Sequence, residues 1–396
     1  LPSDLKQVKV AAVMDEFTFH SFAPECQLIS LSPQNWEAEL DGFAPDLVFI
    51  ESAWRGAGEQ WTQKVSNPSA EIMGVIAWCV RAGVPSVFWN KEDPVHFGSF
   101  QHIARAVDHV FTTDVDCIAR YKRDLGHERV YLLPFAAQPA LHNPIEHFER
   151  RDAFCFAGSY YLKYPERQRD FKSLMDVVSR LRPVEIFDRN YHKPHPHYEF
   201  PPEYEQYIVG SLPFDQIDKA YKGYRFGINM NTIKQSQTMF ARRVFELLAS
   251  NTIVVSNFSR GVRLLFGDLV VCSDAPAEIE RRLMDLCSDE ARLRKFRLAG
   301  VRKVMSGHTY AHRLAYVASK VSGTSAAPAP IQVTVIASAA NETRIGSSGS
   351  YTRAFWVNPL TCRGTPADSR TVSAPTRAQS EPVASAARNV GGAARS

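Results

Sequence analysis

No stretch of this 396-residue chain approaches the ~18 consecutive apolar residues of a membrane-spanning helix, so any action at a membrane would be peripheral. Cysteine is sparse: Cys26, Cys79, Cys117, Cys155, Cys272, Cys287 and Cys362 are odd in number, scattered and free of any CxxC pair. That pattern fits neither a disulfide framework nor a zinc site, and it suits a reducing, cytoplasmic setting. The opening residues LPSDLKQVKVAAVMDEF offer only a short apolar run that meets Asp15 and Glu16, unlike the longer apolar core of a signal peptide. Concentrated positive charge is also missing. Seven arginines beyond Ser322, set against three acids, account for the whole formal charge of +4 and leave the body balanced. Without a basic face, nucleic acid is not an expected partner.

What is present alternates. VKVAAVMD (8–15), CQLISLSP (26–33), DLVFIES (46–52), PSVFWN (85–90), HVFTTD (109–114) and VYLLPF (130–135) are short runs rich in β-branched and aromatic residues. Helical spacing separates several of them, as at 70–82 and 115–125. The polar loop LHNPIEHFERRD reads as a domain connection, after which the pattern restarts with strands expected at 153–159, 184–190, 225–231, 252–257 and 269–274. Helices are expected at 170–182, 241–249, 277–286, 291–305 and 310–321. Two consecutive α/β units predict two parallel sheets, with ligands bound beyond the strand carboxyl ends. The expected division is residues 1–148, 149–322 and a tail at 323–396 whose composition cannot bury a core.

The stretch from 228 to 268, INMNTIKQSQTMFARRVFELLASNTIVVSNFSRGVRLLFGD, concentrates groups that a nucleotide-diphosphate site needs. A carboxylate such as Glu246 accepts ribose hydroxyls, Arg242 or Arg243 balances diphosphate charge, and the loop at Ser259, Arg260 and Gly261 presents amides to phosphate. Arg243, three residues before Glu246, shares its face of the helix. Gly158 and Ser159 end the restarted unit's first strand, where a turn approaches phosphate, although a plain turn explains them too. Asp188, Arg189 and Asn190 end the next strand and read as neighbours of the base. In NKEDPVHFGSF, after the strand at 85–90, Lys91, Glu92, Asp93 and His96 are expected to face the cleft and orient or deprotonate an acceptor hydroxyl. Glu51 and Trp54, after DLVFI, read as a second acceptor-side pair and a platform for a sugar ring. Asp114-Val-Asp116 imitates a metal-binding DxD but follows a strand and opens a helix, the position of an N-cap. His192, His195 and His197 lack a carboxylate or thiol at metal spacing, and no metal site is expected there.

The 228–268 stretch, together with FAGSYYLKYPER (156–167) and the segment from VFTTD to LPFAAQPALHNP (110–144), resembles the spore-maturation-protein-like (CgeB-type) glycosyltransferases over residues 85 to 320. The wider family-4-like glycosyltransferases share the layout. The resemblance implies a GT-B fold, two Rossmann-like domains around a cleft, and transfer of a sugar from a nucleotide diphosphate donor to a hydroxyl acceptor. It implies no metal or other cofactor, retention of configuration and a cell-envelope or capsular glycan, with a glycan, lipid-linked or protein acceptor. It casts Glu246 as the ribose ligand and Arg243, with Arg242 and Lys163, as diphosphate ligands; the plainer reading of Glu246 is a surface acid in a first helical turn. Eight residues before Glu246, where family-4-like enzymes carry a second glutamate, this chain has Thr238. IQVTVIASAAN (331–341) resembles the opening strand of a GT-A module, as a truncated further domain would. A sugar-nucleotide epimerase and a non-catalytic sugar-nucleotide-binding protein remain alternatives.

Overall fold

The computed structural model describes residues 1–324. The expectations for the tail, including the strand at 331–341, lie outside the described residues. The first sheet contains β1 (Lys9–Val13), β2 (Gln27–Ser30), β3 (Leu47–Glu51), β4 (Ser86–Asn90), β5 (His109–Thr112) and β6 (Val130–Leu132). All are parallel, in the order β2-β1-β3-β4-β5-β6. The second contains β7 (Arg151–Gly158), β8 (Val184–Asp188), β9 (Ile208–Gly210), β10 (Tyr224–Asn229), β11 (Ile253–Ser256) and β12 (Val271–Cys272). It is also parallel, ordered β12-β11-β10-β7-β8-β9.

Covering helices explain the strand composition. Every residue of LVFIE in β3 and SVFWN in β4 is buried, the continuous run of a strand enclosed on both faces rather than an alternating one. Local signals set the helix ends. Ser69 caps Ala70–Ala82, and Asp114 caps Val115–Leu125 by accepting from the Asp116 amide at 2.7 Å, so the DxD look-alike is a helix cap. Gly83 and Gly126 end these helices at φ 66 and 72, a region that a Cβ disfavours. Among the described residues the cysteines are unpaired and no helix is long and apolar enough to cross a membrane.

Each sheet reverses direction at one point. In the first, the chain leaves β1 for β2 and returns to β3 on the other side; in the second, β8 and β9 lie on one side of β7 and β10 on the other. A crevice opens where the connections diverge, beyond the carboxyl ends of β1 and β3 and of β7 and β10. One hydrophobic cluster covers the first sheet, another the second, and a third includes residues of both lobes, from Val10 and Trp89 to Cys155 and Val254. The last helix, Tyr310–Ser322, returns to the first lobe: Arg313 donates to the carbonyls of Pro134 at 2.8 Å and Phe135 at 2.9 Å, and Tyr310 packs edge-on against Phe22 at 4.9 Å.

Candidate active site

The two crevices face each other across a cavity of about 270 Å³. Its second-lobe wall holds Gly158, Ser159, Arg167, Arg189, Asn231, Arg242, Arg243 and Glu246; its first-lobe wall holds Phe17, Lys91 and Glu92. Residues expected from sequence at both ends of the chemistry are thus brought together.

The second-lobe wall is cationic. Arg243 stands at the start of the helix Arg243–Ala249, its Nε buried without a partner and its guanidinium 5.6 Å from the Phe156 ring. Gly158 makes room for it. A Cβ there would lie 2.9 Å from Phe156 and 3.4 Å from the Arg243 guanidinium. Arg189 follows β8 at the exposed rim, its amide bonded to the Gly158 carbonyl at 3.0 Å. Arg167, on the helix Pro165–Leu181, is 9% exposed and lies over the Tyr161 ring at 4.9 Å. Burial, with the charges of Arg243 and Arg189 nearby, brings its guanidinium down to about 10. Among the described residues none of these three arginines has an ion-pair partner. Sequence reasoning missed Arg167, because an arginine in an amphipathic surface helix gives no local sign that it turns inward.

Arg242 and Glu246 behave differently. They pair with each other one helical turn apart, and Tyr221 donates to the second carboxylate oxygen at 2.8 Å. Glu246 is 2% exposed, so it is not the surface acid of the plainer reading. Burial acts to raise its pKa, but Arg242, His142 and the Tyr221 hydroxyl outweigh this and hold it below the usual glutamate value. Arg242 meanwhile lies 4.3 Å from the Phe17 ring of the first lobe. It is therefore a partner of Glu246 and a contact between lobes.

Thr238 has a role of its own. Its hydroxyl accepts from the Val115 amide at 2.9 Å and donates to the Thr113 carbonyl at 2.8 Å, and Gln237 bonds Asp116 at 3.0 Å. The position that carries a glutamate in family-4-like enzymes here ties the second lobe to the first.

Several expected donor residues lie outside the cavity wall. Ser259 is buried and caps the helix Arg260–Phe266, Arg260 points to solvent, and Gly261 packs where a Cβ would meet Phe240 at 2.9 Å. Lys163 is exposed against Tyr164 at 5.6 Å. Asp188 and Asn190 form a supporting layer: Asp188 accepts from the Asn190 amide at 2.9 Å, and Asn190 donates to the Ser159 hydroxyl at 3.1 Å. The histidine loop is exposed, and among the described residues no group of three or more His, Cys, Asp or Glu is placed to hold a metal ion.

On the first-lobe side Glu92 lines the cavity as expected, with no hydrogen bond or ion pair to its carboxylate among the described residues. Asp93 turns inward instead. It is fully buried, accepting from Thr112 at 2.6 Å and Asn90 at 2.9 Å, and burial pushes its carboxyl up to about 7. His96 also leaves the cavity wall, packing edge-on against Trp54 at 4.9 Å. These corrections share one cause: after a strand, each residue of a tight loop points a different way, and strand-end position alone does not say which meets solvent.

Lys91 lines the cavity as expected, but its pairing with Asp15 and Glu51 was not foreseen. Its ammonium, 4% exposed, is clamped between Asp15 at 2.5 Å and Glu51, at the β1/β3 crevice, with Phe17 at 4.4 Å. Thr18 and the Asp15 amide also donate to Glu51, at 3.0 and 3.2 Å. Burial pushes Glu51 up to about 7, with Asp15 adding to the shift and Lys91 opposing it. A folded-state value above the unfolded 4.5 means that the folded chain holds a proton which the unfolded chain releases. This group's stabilisation is therefore present at low pH and lost as pH rises through about 7, by on the order of 1 to 3 kcal/mol. Melting of Glu51→Gln beside the parent from pH 5 to 8 should show the parent losing stability relative to the variant. Parallel curves would contradict the assignment.

Residues 154–319 match the family model described as Glycosyl transferase-like. The matched stretch runs through most of the second lobe and into the last helix. The chain is also 21% identical over 188 residues to the spore protein CgeB of Bacillus subtilis (strain 168), an alignment covering 44% of this chain and 56% of that protein. It therefore spans just over half the length of this curated relative. Among solved structures, the Anabaena protein Alr3699/HepE in complex with UDP and glucose superposes with a TM-score of 0.53 at 10% identity, over 80% of this chain and 100% of that one. A glycosyltransferase from Rickettsia africae ESF-5 gives 0.49 at 9% identity, over 81% and 91%. The first of these shows the shared two-lobed GT-B fold, and the residues that the family model matches include Arg167, Arg189, Arg243 and Glu246.

Proposed function

We propose that this CgeB-like chain is a glycosyltransferase that moves a sugar from a nucleotide diphosphate donor to a hydroxyl of a glycan acceptor, in cell-envelope or capsular synthesis. The observation that carries the reading is the set of three arginines without carboxylate partners among the described residues, Arg167, Arg189 and Arg243, around Gly158 and Ser159 at the β7/β10 crevice. Uncompensated guanidinium charge facing a cavity is costly unless an anion occupies it, and a diphosphate supplies paired oxygens for such a fork. Glu246 would receive the ribose hydroxyls on lone pairs that Arg242 and Tyr221 leave free.

In the reaction the bond between the anomeric carbon and the diphosphate oxygen breaks and one to the acceptor oxygen forms. The departing charge grows beside Arg243 and Arg167, which stabilise it more in the transition state than in the bound donor. Retention is the course we propose: the leaving diphosphate oxygen takes the acceptor proton on the face where the acceptor enters. Glu92, whose carboxylate has no hydrogen-bond or ion-pair partner among the described residues, orients the acceptor from the opposite wall through a hydroxyl.

A panel of nucleotide sugars, read by released nucleotide with and without glycan acceptors, tests the activity. Turnover that needs no acceptor and yields an isomerised sugar nucleotide would make the chain an epimerase. Three arginines already balance the diphosphate, so chelator is expected to leave turnover within about twofold. Activity lost with chelator and restored by manganese would overturn metal independence.

A further inference from the structure

We propose that the first lobe carries a second carbohydrate subsite at the exposed Trp54 side chain, so that the acceptor is an oligosaccharide bound through at least two sugar rings. The inference rests on the reading of the chain as a sugar transferase and extends it to the acceptor's class.

Trp54 lies just past β3, beside the β1/β3 crevice, and is 38% exposed. Two rings brace it edge-on, His96 at 4.9 Å and 84° and Phe100 at 5.2 Å and 69°. Its loop is pinned as well: Asp15, the carboxylate that holds Lys91, also accepts from the amides of Arg55 at 3.2 Å and Gly56 at 2.9 Å. An indole braced by two rings keeps its exposed part fixed, and apolar contact with it comes at little entropic cost on binding. Around it stand the Arg55 and Glu59 side chains, paired at 2.7 Å, and the half-buried His96. A pyranose has this character, with an apolar face of C–H groups and a rim of hydroxyls. A single ring among charged groups offers too little apolar area for a lipid chain or a protein partner.

Position ties the shelf to the cavity. His96 donates its amide to the carbonyl of Glu92 at 3.1 Å, and Glu92 lines the cavity while Trp54 and His96 do not. A sugar whose hydroxyl meets the donor near Glu92 would thus have its next ring, not its reacting ring, over Trp54.

The experiment compares parent, W54A and W54F with maltohexaose, cellohexaose and chitohexaose against their monosaccharides, by saturation-transfer NMR and by acceptor kinetics. The parent should prefer at least one hexasaccharide to its monosaccharide by tenfold or more. W54A should lose at least tenfold of that preference, W54F should keep most of it, and both should hold nucleotide sugar as the parent does. If W54A binds the preferred hexasaccharide like the parent, or no hexasaccharide exceeds its monosaccharide, the subsite is refuted. Failure of the functional reading looks different, because no nucleotide sugar would then bind the parent. Melting of W54A guards against misfolding, and W54F keeps the packing on Phe100 if the alanine variant unfolds.

Discussion

Arg243→Ala is expected to lower turnover by about 10² to 10³-fold while leaving the melting temperature close to the parent's. The two halves of this expectation have one source. Arg243 has no carboxylate partner among the described residues, so its removal strands no counter-charge and relieves repulsion on Arg167, whose guanidinium its charge helps to push down. The loss falls on the chemical step, because the diphosphate gains charge as the glycosidic bond breaks, and a group that meets that charge acts on kcat more than on KM. Arg243→Lys keeps the charge but not the forked geometry and should recover only part of the rate. Single-turnover release of nucleotide beside a melting curve is the measurement. Unchanged turnover in a folded Arg243→Ala protein would remove the diphosphate from this wall.

Glu246 should show the opposite balance. From sequence, a carboxylate in a first helical turn that serves only ribose should be removable without harm to the fold. The structure changes that expectation, since Glu246→Ala would leave the Arg242 guanidinium and the Tyr221 hydroxyl without their partner in a site where Glu246 is 2% exposed. With the Arg242 side chain 29% exposed, the stability cost is at the low end for a broken buried pair, about 2 to 3 kcal/mol. Glu246→Gln preserves shape and an acceptor oxygen, and so separates folding from binding. Hydrogen bonds to a charged group contribute ~1.5 to 3 kcal/mol, and their loss should weaken the donor roughly ten- to a hundredfold. Calorimetry with the turned-over nucleotide sugar decides it: parent-like affinity in a folded Glu246→Gln protein would take the ribose away from Glu246.

The sheets were legible from sequence because parallel strands enclosed by helices write themselves as uninterrupted apolar runs. VKVAAVMD, DLVFIES and PSVFWN became β1, β3 and β4 with bounds shifted by one or two residues. The miss was β9, three residues at a sheet edge with the burial pattern of a loop. The site was legible where one short segment carried it, as with Arg242, Arg243 and Glu246, or where a strand ended in Gly158 and Ser159. It was not legible where it depends on residues far apart in sequence. Nothing local in Asp15 or Lys91 tells that they will meet across 76 positions, and a charged loop such as NKEDPVHF does not reveal that Asp93 will turn inward while Lys91 and Glu92 line the cavity.

Thr238 limits which side chains can hold this contact between the lobes. At one oxygen it both accepts from Val115 and donates to Thr113, and among the side chains of its size only another hydroxyl does both. Valine, its nearest shape, does neither, and a glutamate would set a second negative oxygen against the Thr113 carbonyl. Serine is the one neutral step away from the present residue. A glutamate at this position, as a paired-carboxylate site would need, cannot be introduced by a single exchange without undoing the contact between lobes.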